Sequence, residues 1–261
     1  MQPASLLRLA CLALVAATAS CGRNDARTIV FAASSLTEAF EELAREFESS
    51  AAGGRIELHF AGTPTLVLQL REGAPGAVLA SADAAQMQRA AALGLLGGDA
   101  EVFGRNRLVI AVAGGNPEGV EGPDDLARPG LRVALCGPDV PAGSYAREAL
   151  TRAGVEPAPV SDEPSVRSLV GKIALGELDA GIVYRTDVAA HAGRVEAIEF
   201  EAADRVRPAY TIAPLTARAE GPATAGASGA RTPDRTGALF VDFVLSSEGR
   251  EILERHGFEA P

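Results

Sequence analysis

The sequence of 261 residues has little cysteine, which argues against a fold held together by disulfide bonds. Its three cysteines are Cys11, Cys21 and Cys136. We expect the first to leave with an N-terminal signal and the second to be modified at the cleavage site, so one thiol remains. An exported chain without a disulfide pair must be stabilised by its hydrophobic core. The length and a hydrophobic content of 47% suffice for one large domain or two smaller ones. Cys136 follows an apolar run, and we predict that it is buried at a strand end.

Basic charge is also scarce, and the formal net charge is -10 at pH 7. Such acidity argues against a nucleic-acid partner and against a basic patch for an anionic membrane surface. None of the three histidines lies in a Ser/His/Asp or metal-ligand spacing. We therefore expect no enzyme, no cofactor and no directly coordinated metal ion, and we keep an enzyme on the same fold as an alternative. The histidines are His59, His191 and His256.

The N-terminus has the features of a secretory signal. Residues 1–20 contain one charged side chain, Arg8, and then an apolar run from Leu9 to Ala17 that is too short to span a membrane comfortably. Small residues directly before Cys21 resemble a bacterial lipoprotein signal, in which the cysteine becomes the lipid-carrying first residue. We expect an exported protein, periplasmic or at the cell surface, anchored through Cys21. An ordinary signal cleaved nearby is the alternative.

Short apolar runs alternate with amphipathic helical periods along the rest of the chain, which indicates an α/β fold with largely parallel sheets. Two closing helices are predicted at 236–245 and 248–256. Residues 216–235 contain almost no large apolar side chain, so we expect an exposed, flexible insertion there. The predicted strands are 28–33, 56–61, 77–80, 108–113, 131–135, 180–184, 195–200 and 210–214.

Four predicted helices begin with a small hydroxyl residue or a Pro/Gly/Ser turn. A helix N-terminus leaves backbone N–H groups unpaired and carries partial positive charge, so it favours an anion. Each start also has a purely structural interpretation. Ser35 with Glu38 fits a capping box, and Thr63 fits an N-cap followed by proline. Four such starts together predict a pocket that holds an oxyanion by neutral donors. They lie at 34–38, 62–65, 140–144 and 163–167.

Two further features fit such a pocket. The stretch Pro141-Ala142-Gly143 carries no bulky side chain, so its backbone can approach a ligand closely. Tyr184 ends a predicted buried strand, and its phenol can point into the crevice at the sheet edge, where α/β proteins bind ligands. A core tyrosine bonded to the backbone is the alternative.

A series of short motifs runs through nearly the whole mature chain. It opens with Phe31-Ala-Ala-Ser-Ser-Leu-Thr37 and closes with residues 249–258. Between them come Gly73-Ala-Pro75 with Ala80-Ser-Ala-Asp83, Val140-Pro-Ala-Gly143 with Tyr145-Ala-Arg-Glu-Ala-Leu150, Ser165-Val-Arg167 and Gly181-Ile-Val-Tyr184. In this order, and with this spacing between Val166 and Tyr184, they resemble bacterial molybdate-binding proteins, the solute receptors of ABC importers.

The resemblance implies a two-lobed periplasmic-binding-protein-like fold with a ligand cleft between the lobes. The first lobe would hold residues 22–106 and 211–261, and the second lobe residues 107–210. The crossings near 106–112 and 208–213 would form the hinge. The protein would be a monomer whose closed form is recognised by a membrane permease and its ATPase.

The resemblance also assigns five ligand positions. Ser35 and Thr63 would provide hydroxyl and backbone N–H donors from the first lobe. Ala142 and Val166 would provide backbone N–H donors from the second lobe, and Tyr184 its hydroxyl. Two positions depart from the family pattern: Thr63 replaces the usual serine, and Ala77 stands where an aspartate is usual.

A donor-only pocket suits molybdate, which is fully deprotonated at neutral pH and accepts hydrogen bonds without donating any. Tungstate is nearly the same size and should bind comparably. Sulfate matches in charge and shape, so size must exclude it. A receptor for sulfate, phosphate or another tetrahedral oxyanion remains the alternative, as does a sensor subunit on the same fold.

Overall fold

The computed structural model describes residues 27–50, 53–216 and 234–261. The predicted signal, Cys21 and most of the predicted insertion lie outside these residues. In chain order the strands are β1 (Thr28–Ala33), β2 (Ile56–Ala61), β3 (Val78–Ser81), β4 (Glu101–Arg105), β5 (Leu108–Ala113), β6 (Val133–Cys136), β7 (Ser161–Glu163), β8 (Ala180–Tyr184), β9 (Val195–Ile198) and β10 (Ala209–Pro214). The helices are α1 (Thr37–Ser49), α2 (Thr63–Glu72), α3 (Ala84–Ala92), α4 (Pro141–Ala153), α5 (Val166–Ala174), α6 (Arg185–Ala189), α7 (Arg235–Leu245) and α8 (Ser247–Arg255). No helix in the described ranges is both long and apolar enough to cross a membrane.

The described strands form two five-stranded sheets with the orders β2-β1-β3-β10-β4 and β7-β6-β8-β5-β9. The two sheets share one pairing pattern: two parallel contacts followed by two antiparallel ones. Each sheet is mixed because β5 and β10, the strands that enter from the other sheet, run antiparallel to their neighbours. The predicted α/β architecture with two helix-flanked sheets is confirmed.

The first sheet is covered by α1 and the two C-terminal helices. Phe40 and Phe47 recur at helical spacing on α1 and are at most 2% exposed. Phe240 of α7 packs between them, with ring centroids 6.0 Å from Phe40 and 5.3 Å from Phe47. This aromatic cluster fixes α1, and therefore the turn that precedes it, against the sheet.

The second sheet is buried on both faces along its central strands. The side chains of Leu108, Ile110 and Ile182 are fully buried there, and α5 adds Leu169 and Ile173 from one face. The sequences of these central strands, β5 and β8, are continuously apolar because helices cover both faces of the sheet.

Cys136 is fully buried as the last residue of β6, as predicted. Burial raises the pKa of its thiol, so the group stays protonated and is a poor nucleophile.

The chain passes between the sheets twice, and the two passages lie side by side. The first runs from β4 to β5 through Asn106, and the second enters β10 after Pro208. The Asn106 backbone N–H donates to the Pro208 carbonyl at 3.1 Å, which ties the two passages together. The predicted lobe boundary at 106/107 falls in the first passage, whereas the one at 210/211 lies two residues inside β10; both stay predictions.

The structure differs from the prediction mainly in short elements. β4, β7 and α6 were not predicted. β7 consists of three polar residues at a sheet edge, and its extended form depends on pairing with β6. α4 begins at Pro141, three residues before the predicted start at 144, because proline is well tolerated in the first helical turn. This earlier start brings Ala142 into the helix N-terminus.

Candidate anion-binding site

A narrow cavity lies where the two sheets meet, at the ends of β1 and β8 and the starts of three helices. About 10 Å³ of it is open to the centre of a water-sized sphere. Both halves of the fold contribute to its wall, which is formed by Ala33, Ser34, Ser35, Gly62, Thr63, Ala82, Val140, Pro141, Ala142, Val166 and Tyr184.

The structure brings all five predicted ligand positions into this wall. Ser35 lies in a short 3-10 turn after β1, and Thr63 is the first residue of α2. Ala142 is the second residue of α4, Val166 is the first of α5, and Tyr184 is the last of β8. Each is at most 6% exposed. Their spacing in the sequence gave no direct indication of this convergence, which the sheet topology produces.

Three helices, α2, α4 and α5, begin at the cavity. N–H groups in the first turn of a helix have no carbonyl one turn earlier to accept them, and the helix dipoles make this end of each helix partially positive. The first residue of α4 is Pro141, which has no N–H, so Ala142 carries the first such group there. Gly143 lets the start of α4 pack closely against the turn that follows β6, since a Cβ at this position would lie 2.1 Å from the Gly137 carbonyl oxygen. The Ser165 hydroxyl accepts the Ser168 N–H and so caps α5, which leaves the Val166 N–H for the cavity.

Two predicted helix caps are wrong. Ser35 does not form a capping box with Glu38, because the 3-10 turn makes Leu36 the N-cap of α1 and no side chain caps it. Glu38 instead pairs with Arg167 at 3.0 Å. Thr63 is not an N-cap either, since Gly62 occupies that position. Both hydroxyls are thus free of the local capping role that a structural interpretation gave them.

The hydroxyl of Tyr184 is buried and has no hydrogen-bond partner among the described residues. Burial, followed by the nearby phenol of Tyr210, raises the pKa of Tyr184 well above its ordinary value, so the group stays neutral and keeps its hydrogen. The Thr63 hydroxyl oxygen accepts the Ala82 N–H at 3.5 Å, a long contact. Unpaired buried polar atoms are rare in proteins, and Tyr184 is therefore available for a ligand.

Sequence reasoning missed two buried polar residues behind Ser35. The Ser35 Oγ lies 3.0 Å from the Tyr210 hydroxyl, which in turn lies 3.4 Å from Asn106 Nδ2. Asn106 Nδ2 also donates to Thr186 Oγ1 at 2.9 Å. Tyr210 and Asn106 flank the predicted hinge, but they lie 175 and 71 positions from Ser35 in the sequence, so no local pattern joins them.

The wall of the cavity contains no Asp, Glu, Lys, Arg or His. The histidines have other partners: His59 Nε2 contacts Gln69, His191 Nδ1 contacts the Asp187 carbonyl, and His256 Nε2 contacts Glu42. Across the described ranges, no group of three or more His, Cys, Asp or Glu side chains is placed to hold a metal ion. The arrangement can hold an anion only through neutral donors.

Three contacts join the two halves of the fold around the cavity. Gly62 approaches Pro164 so closely that a Cβ on the glycine would lie 2.3 Å from the proline carbonyl oxygen. Gln86 Nε2 of α3 donates to the Asp139 carbonyl at 3.0 Å. With the Glu38–Arg167 ion pair, these contacts describe a closed arrangement.

The family model for bacterial extracellular solute-binding proteins matches residues 28–259. The chain belongs to this family. It is 38% identical to the molybdate-binding protein ModA of Mycobacterium tuberculosis over 260 residues, which is 95% of each chain. Among solved structures it resembles the periplasmic molybdate-binding protein of Azotobacter vinelandii, with a TM-score of 0.70 and 19% identity over 90% of this chain and 99% of that one.

The sulfate-binding protein SubI of Mycobacterium tuberculosis resembles the fold of this chain equally well. Its TM-score is also 0.70, at 13% identity over 90% of this chain and 86% of that one. At such identities the likeness shows the fold alone, so the fold by itself does not choose between anions.

Asp187 makes the stability of this solute-binding protein depend on pH near the cavity. Its carboxylate accepts the Tyr184 N–H at 3.0 Å, and burial raises its pKa from 3.8 to about 7. Glu38 raises this pKa further and Arg167 lowers it. Because the folded pKa lies above the unfolded one, Asp187 favours the folded state fully at low pH, and this contribution is lost as the pH rises to about 7.

We expect Asp187→Asn to remove the loss of stability at high pH, since the amide has no charge to bury and its oxygen still accepts the Tyr184 N–H. The variant should match the parent chain near pH 4 and exceed its free energy of unfolding near pH 8, as measured by urea titration. Asp242→Asn, at an exposed position of α7, is the control. An equal pH dependence in the parent and Asp187→Asn would contradict the prediction.

We expect Gly62→Ala to hold the two halves of this solute-binding protein apart, because the new methyl group would collide with the Pro164 carbonyl. Ligand affinity should fall by about tenfold or more, or about 1.4 kcal/mol, with little change in unfolding temperature, since the clash lies between the halves. Gly171→Ala, where a Cβ meets nothing within 4 Å, should leave affinity unchanged. Wild-type affinity in Gly62→Ala would show that the contact is not needed for closure.

Proposed function

We propose that this chain is an extracytoplasmic receptor that captures molybdate and delivers it to an ABC importer. The observation that carries the proposal is the buried, uncharged cavity that Ser35, Thr63, Ala142, Val166 and Tyr184 line together. The 38% identity to ModA over 95% of both chains supports molybdate as the ligand. In this proposal Ser35, Thr63 and Tyr184 donate hydroxyl hydrogens, and Ala142 and Val166 donate backbone N–H groups.

The donor set fits an oxyanion that has no hydrogen of its own. A buried charge must be hydrogen-bonded to remain stable away from water. A charge-assisted hydrogen bond contributes roughly 1.5–3 kcal/mol, so several of them support binding in the nanomolar range, about 12 kcal/mol, after the costs of association. A lysine or arginine at the ion is not required.

Binding is coupled to closure in this proposal. Ser35 and Thr63 belong to the half built on the first sheet, and Ala142, Val166 and Tyr184 to the half built on the second. A ligand that bonds both halves favours the closed form over the open one, and opening at the two side-by-side passages releases it. The closed form is the one that a permease, with its ATPase, would recognise. A single chain completes the cavity, which is consistent with a monomer.

Size then separates the candidate anions. A larger anion reaches donors on both sides of the cavity, whereas a smaller one leaves some of them unpaired. We propose that tungstate binds like molybdate and that sulfate binds more weakly.

Export and anchoring follow from the N-terminal sequence. We propose that residues 1–20 direct export and that Cys21 carries a lipid that holds the receptor at the membrane. The family is named for extracellular solute binding, which fits an exported protein.

Calorimetric titration of residues 22–261 with molybdate, tungstate and sulfate tests the ligand. We expect stoichiometric binding of the first two, little or no binding of sulfate, and a ten- to hundredfold loss for molybdate in Tyr184→Phe and in Ser35→Ala, as losing about 1.5–3 kcal/mol implies. Ser49→Ala, at the exposed end of α1, is the control. Unchanged affinity in both site variants, or tight binding of sulfate only, would overturn the assignment.

Cys21→Ser tests the anchor. We expect the variant to be exported without a lipid and to appear in the soluble fraction, where the parent chain appears with the membranes, as measured by fractionation and by the intact mass of each form. Identical membrane fractionation of both proteins would contradict the anchor.

A further inference from the structure

Tyr210 lies between the two passages and the cavity. Its hydroxyl is 3.0 Å from Ser35 Oγ and 3.4 Å from Asn106 Nδ2, and its side chain is fully buried. Its ring packs edge-on against Tyr184 and Phe258, with centroids 5.6 and 5.2 Å away. Tyr210 is not part of the cavity wall, so its effect on a ligand must pass through Ser35.

The chemistry of Asn106 fixes the direction of these hydrogen bonds. The Arg107 backbone N–H donates to Asn106 Oδ1 at 2.9 Å. A backbone N–H can only donate, so this atom is the carbonyl oxygen and the other is the NH₂ group. The NH₂ group donates to Thr186 Oγ1 and to the Tyr210 oxygen. Because NH₂ accepts nothing, the Tyr210 hydrogen cannot point at Asn106. Its candidate acceptors are Ser35 Oγ, at 3.0 Å, and the Tyr184 hydroxyl, and the short contact favours Ser35.

The hydrogen of Ser35 is therefore not used on Tyr210. The serine oxygen receives the Tyr210 hydrogen on one of its two lone pairs, so its own hydrogen and the second lone pair remain for other partners. Ser35 lines the cavity, where a ligand can take that hydrogen. Burial raises the pKa of the Tyr210 phenol well above its ordinary value, so this hydrogen is retained at any physiological pH.

We propose that Tyr210 is a specificity-determining positioning residue: by donating to Ser35, it leaves the serine hydrogen for the cavity, occupies one of the two acceptor positions of the serine oxygen and so disfavours oxyanions that carry a proton. This inference rests on the proposed function. Molybdate and sulfate have no hydrogen at neutral pH, whereas most inorganic phosphate has at least one. A P–OH group facing Ser35 would find one acceptor position taken by Tyr210, and using the other would turn the serine hydrogen away from the anion.

Tyr210→Phe tests the inference, because it removes the hydroxyl and keeps the ring packing. Without this donor, both acceptor positions of the serine oxygen are open to a hydrogen of the ligand. We expect molybdate affinity to fall several-fold and the ratio of molybdate to phosphate affinity to fall about tenfold or more. The full chain is titrated with molybdate and, by competition, with inorganic phosphate near neutral pH. A structural defect would weaken both anions alike and leave the ratio unchanged.

Tyr145→Phe is the matched control. Tyr145 lies on α4, burial raises its pKa to about 12, and its hydroxyl bonds the Ala209 backbone rather than Ser35. The same loss of a phenolic hydroxyl there should leave the molybdate-to-phosphate ratio unchanged.

A double-mutant cycle with Ser35→Ala separates action through Ser35 from any other role. If Tyr210 acts only through Ser35, Tyr210→Phe has no further effect on the ratio in the Ser35→Ala background. A full additional effect in that background, or an unchanged ratio in the single variant, would overturn this inference while the proposed function stands. A parent chain that binds no tetrahedral anion would overturn both.

Discussion

The proposed site depends on one constraint: an anion between the two sheets would have to be stabilised without a countercharge. Transfer of an ionised group out of water is costly unless hydrogen bonds replace the lost hydration. The wall of the cavity has no charged side chain, so in the proposed function helix N-termini and hydroxyl groups do this alone. The N–H groups among these donors are part of the backbone and would need little reorganisation when a ligand arrives.

The fold meets this constraint by using one sheet pattern twice. Both sheets have two parallel contacts followed by two antiparallel ones, and both direct the carboxyl ends of strands and the starts of helices at the same gap. Parallel strands followed by helices place helix N-termini at that edge. The two passages between the sheets are bonded to each other at Asn106 and Pro208.

The sequence predicted the long elements well, because apolar periodicity identifies buried faces. The predicted strands 28–33, 56–61, 108–113 and 180–184 have the bounds seen in the structure. Short polar elements such as β7 were missed because neighbouring strands stabilise them. All five predicted ligand positions meet in one cavity, and they came from a family resemblance rather than from residue spacing. Tyr210 and Asn106 were missed because their partners are distant in the sequence and only the fold brings them together.

Ser35 shows how local and tertiary effects compete. A serine three positions before a glutamate is typical of a capping box. The chain instead forms a 3-10 turn there, with Thr37 Oγ1 donating to the Ser34 carbonyl at 2.8 Å. This frees both members of the expected pair, since Glu38 reaches Arg167 across the cleft and Ser35 reaches Tyr210. The capping signal thus coincided with a place where tertiary contacts override local preference.

The three tyrosines of the chain lie close together in the structure. The sequence contains no tryptophan, so no stronger fluorophore masks their emission. Tyr184 lines the cavity, Tyr210 bonds Ser35 behind it, and Tyr145 reaches the backbone beside the return passage. Ultraviolet emission from this chain therefore arises where the two halves meet. A change in the arrangement of the two halves would therefore change the intrinsic tyrosine fluorescence, which can be measured without an attached dye.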